Sequence, residues 1–239
     1  MTIQEYFGDW SKVIDLQEAD RILKKVGMMS HHNNRIICPC LKDIFKAFHL
    51  CPFRKLHCVI LGQDPYNNLR PVGSDSVTTL TPVATGLAFA NHPDTPEGQF
   101  SPSLEVLRES VIDYTLPHGT LIFDPSLEKW ASQGVLLLNA ALSCEAGKAG
   151  SHLLLWRPFI SSLLSHLSQN YAGIVYVLMG AVAQSFEGYI NRQDNVVLNI
   201  RHPAYYARNS GKLPHTLWYL INKAVTEASG DQIKWYEEY

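Results

Sequence analysis

Gly62-Gln63-Asp64-Pro65-Tyr66 sets a carboxylate between a glycine and a proline. The proline fixes its own φ and stiffens the turn. Asp64 held there can position or polarise a water, or stabilise a cation electrostatically. Asn139 closes the run Leu136-Leu137-Leu138. Its amide offers one acceptor and two donors, which suits the edge of a pyrimidine. His202, in Arg201-His202-Pro203, can donate a hydrogen bond from a neutral imidazole to developing negative charge. Phe89 follows Gly86-Leu87-Ala88, and an aromatic after a glycine-containing turn can stack on a planar base. Each residue alone also fits a structural part. Asp64 suits an Asx turn, Asn139 a cap or turn, His202 an ordinary loop and Phe89 the core.

These residues need elements to position them. His57 to Leu61, Val135 to Leu138, Gly173 to Met179 and Asn195 to Ile200 are short apolar runs that read as buried strands. They end at Gly62, Asn139, Gly180 and Arg201-His202. Helical spacing covers Ser103 to Val111, Phe159 to Gln169, Ala181 to Ile190 and Leu213 to Ala228. This alternation predicts an α/β fold, a three-layer α/β/α sandwich with a central four-stranded, mainly parallel sheet. Ligands of open α/β sheets bind at the carboxyl ends of the strands. Asp64, Asn139 and His202 are therefore expected to meet in one crevice. The first 55 residues read as helical with breaks, over Asp15 to Met28 and Leu41 to Leu50. Asn67 to Thr85, rich in Thr, Pro, Gly and Ser, reads as a long loop. The whole chain, 1–239, is read as one domain, with a helical part over 1–55 and an α/β core over 56–239.

The 239 residues are 46% apolar and 18% charged, enough to bury a sizeable core. Twenty Lys+Arg against 22 Asp+Glu give a formal net charge of -2. That lacks the basic excess of DNA-coating proteins but leaves room for a local positive face. Five cysteines and no signal-like start argue against a disulfide scaffold and for an intracellular, cytoplasmic location. No run approaches the roughly 20 apolar residues of a membrane span. Cys38-Pro39-Cys40 and His31-His32 lack metal-site spacing, and no dinucleotide or P-loop motif occurs. No cofactor is expected.

Taken together, Gly62-Gln63-Asp64-Pro65-Tyr66, Gly86-Leu87-Ala88-Phe89, Leu136-Leu137-Leu138-Asn139 and His202-Pro203 closely resemble the uracil-DNA glycosylase family, in its Ung-like branch. Ser101-Pro102-Ser103-Leu104, Trp130 to Val135, Gly147 to His152 and Ile233-Lys234-Trp235 extend the likeness, which runs from about Val59 to Trp235. The resemblance implies a DNA glycosylase that flips a pyrimidine, uracil first, out of single- or double-stranded DNA and leaves an abasic site. It implies that Asp64 orients water and stabilises the sugar cation, and that His202 bonds the base O2. Tyr66 walls the C5 edge, Phe89 stacks, Asn139 reads the O4 and N3 edge, and Gln63 works near the scissile bond. Pro102, Ser103 and Ser151 grip phosphate, with His152 beside them. A monomer is expected, with a proteinaceous glycosylase inhibitor as a further partner. The chemistry fits independently. Cleavage separates an oxocarbenium-like sugar from an anionic base, and a carboxylate facing a neutral donor answers both charges.

Three places depart from the family pattern. Asn67 replaces a histidine. Ala204-Tyr205-Tyr206-Ala207 replaces Ser-Pro-Leu-Ser, which puts Tyr206 in the place of a groove-filling leucine and leaves Arg208 to compensate for a lost serine. Asn67 to Thr85 is much longer than the family's short turn. Two other readings accompany uracil excision: a glycosylase for a modified phage pyrimidine acting in antiviral defence, and a silent DNA-binding relative.

Overall fold

Period-2 alternation along four short strands explains the layering. The computed structural model describes residues 3–32, 35–74, 77–115 and 121–238. β1 (Cys58–Gly62) is buried throughout. It lies between β4 (Val135–Asn139) and β5 (Val175–Met179), and β6 (Val196–Ile200) completes the order β4-β1-β5-β6. All three pairings are parallel. Successive side chains of a strand point to opposite faces. Val59, Leu61, Leu136 and Leu138 therefore join one core with α1 (Leu16–His32) and α3 (Leu153–Asn170). Cys58, Ile60, Val135 and Leu137 join a second core with α2 (Pro102–Thr115) and α5 (Thr216–Ser229). The result is the expected α/β/α arrangement.

The second core closes on three indoles. Trp130 sits 5.3 Å from Trp218 and 5.0 Å from Trp235, centre to centre, and Trp130 Nε1 donates to the Trp235 carbonyl at 2.9 Å. This explains why the segments before β4 and at the far end of the chain carry tryptophan. In the N-terminal part, Trp10 Nε1 donates to the Cys51 carbonyl at 2.7 Å. Ile37–Cys38 pairs antiparallel with Cys144–Glu145 and so ties this part to the sheet's active end.

Some elements differ from expectation. Asn67 to Thr85 is not a structureless loop. It holds an antiparallel hairpin, β2 (Leu69–Ser74) and β3 (Val77–Pro82), with Val72 opposite Thr79. Pro71 and Pro82 hid the strands in the sequence, but a two-stranded ribbon is all edge and accommodates residues that cannot donate. The helix expected from Phe159 starts at Leu153, with Pro158 inside it. The carbonyl freed by that proline belongs to Leu154, which is 86% exposed and open to water. Ala181 to Ile190 splits into a short helix, Ala181–Gln184, and a 3-10 turn, Glu187–Tyr189. Leu41 to Leu50 likewise splits, into a 3-10 turn (Leu41–Asp43) and a short helix (Lys46–Leu50).

Among the described residues no helix is long and apolar enough to cross a membrane. Nor do three His, Cys, Asp or Glu side chains gather to hold a metal ion. The side chain of His32 lies outside the described residues.

Candidate active site

Strand order places the crevice. The chain leaves β1 for β4 on one side and returns past it to β5 on the other, so the connections diverge at the carboxyl end of β1. A cavity of about 380 Å³ opens there. Asp64, Asn139 and His202 all line it, as do Gln63, Tyr66 and Phe89. The six residues named for chemistry and base contact thus come together.

Each is fixed by a local cause. Gly62 and Asn139 are register partners at the ends of β1 and β4. A Cβ on Gly62 would lie 2.5 Å from Asn139 Oδ1 and 2.9 Å from Phe89 Cζ, so only glycine lets the amide and the ring approach this strand end. Phe89 takes a φ of 68°, rare for a bulky residue. It is buried, and its carbonyl accepts the Tyr66 hydroxyl at 2.9 Å, which locks Tyr66 as a cavity wall. The Phe89 ring stands 5.6 Å from the His202 ring.

Asp64 accepts the backbone N–H of Gly150 at 2.5 Å. Burial raises its pKa, while the Gly150 N–H and the Gln63 side chain pull it back down by bonding the carboxylate form. His202 is depressed, first by burial and then by the positive charge of Arg208. Its Nδ1 accepts the Ala204 N–H at 3.1 Å and so caps α4 (Pro203–Arg208). With Nδ1 acting as acceptor, the neutral ring carries its proton on Nε2. Capping and depression together leave a neutral donor.

The residues assigned to DNA contact are placed less uniformly. Ser103, at the start of α2, is buried and lines the cavity. Pro102 begins that helix but lines a neighbouring chamber. The Ser151 hydroxyl oxygen accepts the Glu145 N–H at 2.9 Å, which leaves the hydroxyl proton free for an exposed acceptor. His152 is buried and 2.9 Å from the Ser143 hydroxyl, which in turn accepts Trp156 Nε1. It braces this loop from below and presents no exposed face. Arg208 is exposed and lines the cavity.

Tyr206 is partly exposed, packs against the second core and does not line the cavity. Its neighbour Tyr205 does, 42% exposed, with the Arg201 guanidinium 4.4 Å above its ring. One step along a helix turns a side chain by about 100°, so sequence position alone could not tell which tyrosine faces outward. The Gly150 N–H was also missed. A backbone donor leaves no mark in residue type, and only the glycines of 147–150 hinted at a close approach.

Comparison with known proteins places this geometry. The family model described as Uracil DNA glycosylase superfamily matches residues 48–225. A uracil-DNA glycosylase of Coxiella burnetii is 36% identical, over 98% of this chain and 93% of its own length. One from Mycoplasmopsis pulmonis is 30% identical, over 95% of this chain and 96% of its own. The crystal structure of mimivirus uracil-DNA glycosylase superposes with a TM-score of 0.73 at 20% identity, covering 98% of this chain and 93% of that one. That last likeness bears on the fold alone; the sequence matches bear on descent. The chain belongs to the uracil-DNA glycosylase superfamily.

Proposed function

We propose that the protein excises uracil from DNA by hydrolysing its N-glycosidic bond and leaving an abasic site. The observation that carries this is the pairing, in one cavity, of the Asp64 carboxylate with a neutral His202 whose free nitrogen is a donor. Asp64 aligns water and opposes the positive charge growing on the sugar. His202 Nε2–H stabilises the negative charge growing on the departing base. The target bond is inaccessible in a duplex, so the nucleotide is flipped into the cavity. Phe89 then covers its face and the Asn139 amide meets its edge. Ser103, Ser151 and Arg208 hold the backbone outside.

Uracil is favoured over a pyrimidine with a bulky C5 group. The tie between Tyr66 and Phe89 holds the wall assigned to the C5 edge, and among the described residues none of β2 or β3 lines the cavity. A silent DNA-binding role leaves the Asp64–His202 pair without a purpose. The mimivirus UNG Y322F structure is a complex with UGI, and by analogy the mouth of this cavity would accept a protein inhibitor. Five unpaired cysteines support an intracellular protein.

Oligonucleotides carrying uracil, 5-hydroxymethyluracil, or plain or glucosylated hydroxymethylcytosine test the reading, with abasic sites scored. Abasic sites are expected from uracil. Release from a modified base without release from uracil overturns the substrate; no release from any of them overturns the activity.

A further inference from the structure

Tyr66 lines two cavities. One holds Asp64 and His202. The other, of about 430 Å³, lies between the root of the hairpin and the stretch from Asn91 to Pro102. The reaction described above makes no use of it.

Its lining suits a nucleobase. Asn68 and Gln99 have no side-chain hydrogen-bond partner among the described residues, and Arg70 Nε is buried without one. Amide and guanidinium groups of this kind read base edges. Phe100 supplies an aromatic surface, and aromatics hold unpaired bases by stacking. The chamber is also built in advance. Arg70 bridges to Asp94 at 3.0 Å, and His92 Nε2 lies 3.2 Å from the Pro82 carbonyl, so both hairpin strands are pinned to the opposite wall. Asn91 bonds Ser101 twice, at 2.7 and 2.8 Å, which fixes the end that leads to Ser103 and the base cavity.

We infer that the chamber behind Tyr66 receives the nucleotide next to the excised one in single-stranded DNA, so that the protein reads a dinucleotide. This rests on the glycosylase reading for the identity of the first nucleotide. Two cavities of similar size, separated by one tyrosine, match two successive bases splayed either side of that ring. A duplex holds the neighbouring base in its stack and pair, so the dependence belongs to single strands.

The test uses full-length protein carrying Asp64→Asn, which keeps the DNA intact. Single-stranded oligonucleotides carry one uracil with 2-aminopurine on its 5′ or 3′ side. Binding is expected to change the emission of the probe on one side only. Replacing that neighbour by an abasic residue should weaken Kd about tenfold. Adding Asn68→Ala and Gln99→Ala together removes the edge contacts but not the stack on Phe100, so it should cut this difference to about threefold and leave the affinity for the abasic-flanked strand unchanged. Less than a twofold effect at both neighbours, or a tenfold difference that survives the double substitution, overturns the inference. Uracil release by the unsubstituted protein is scored in parallel. Release without any dependence on the neighbour overturns this inference alone. Dependent binding without release overturns the glycosylase reading alone.

Discussion

The backbone N–H of Gly150 donates to the Asp64 carboxylate across 86 residues of chain. A carboxylate buried in a cavity wall is pushed towards its neutral form, and an N–H aimed at one oxygen opposes that push. Asp64→Asn keeps the shape and removes the charge. It should lower kcat for uracil release by about 10²-fold or more, with Kd for DNA changed by about threefold at most. Single-turnover kinetics with a binding titration separates the two, and near-full activity would remove Asp64 from its role.

His202 should titrate below the ordinary histidine value of 6.5. Burial is the first cause and Arg208 the second. Arg208→Ala should therefore move the midpoint upward, since a cation that disfavours the imidazolium is gone. The consequence for stability has a definite sign. A depressed histidine leaves the fold at full stability above about pH 6.5 and weakens it as pH falls through the folded-state value. NMR titration of the His202 ring in both proteins reads the shift directly. An unchanged midpoint would discard the electrostatic link.

Gly62→Ala adds one methyl between Asn139 Oδ1 and the Phe89 ring. Overpacking of this size costs about 1–3 kcal/mol, visible as a lower Tm. The larger effect is expected on kcat/KM, because the two groups displaced are the amide and the stacking ring. A thermal melt with unchanged kcat/KM would mean that the cavity walls yield without consequence.

Tyr205 and Tyr206 should part company under alanine substitution. Tyr205→Ala removes the exposed ring at the cavity mouth and should slow duplex substrates more than single strands. Tyr206→Ala removes a half-buried ring from the second core and should cost about 2 kcal/mol of stability with little change in the duplex-to-single-strand ratio. The reverse pattern would put Tyr206 back at the groove.

Much of the site was legible because its residues end or closely follow short β-prone runs. The apolar runs before Asp64 and up to Asn139 mark both a buried strand and what it presents. The run before His202 was also expected to be buried, but β6 is the sheet edge and its residues are exposed or half-buried. The sheet was legible for the same reason, since parallel interior strands are apolar on both faces. The hairpin was not. Its threonines, prolines and glycine lack apolar alternation, and pairing with itself is what orders it. The outward turn of Tyr205 follows from where α4 begins, and that is set by the His202 cap, a contact that residue type does not announce.

The wholly parallel sheet has a consequence for synthesis. Parallel neighbours cannot be joined by tight turns, so each pairing waits for a long crossover to arrive. Asp64 emerges early, Asn139 midway and His202 only after β6. No shorter nascent chain can enclose a base. A ribosome stalled before Ile200 would release a polypeptide that has its carboxylate but no counterpart to complete the pocket.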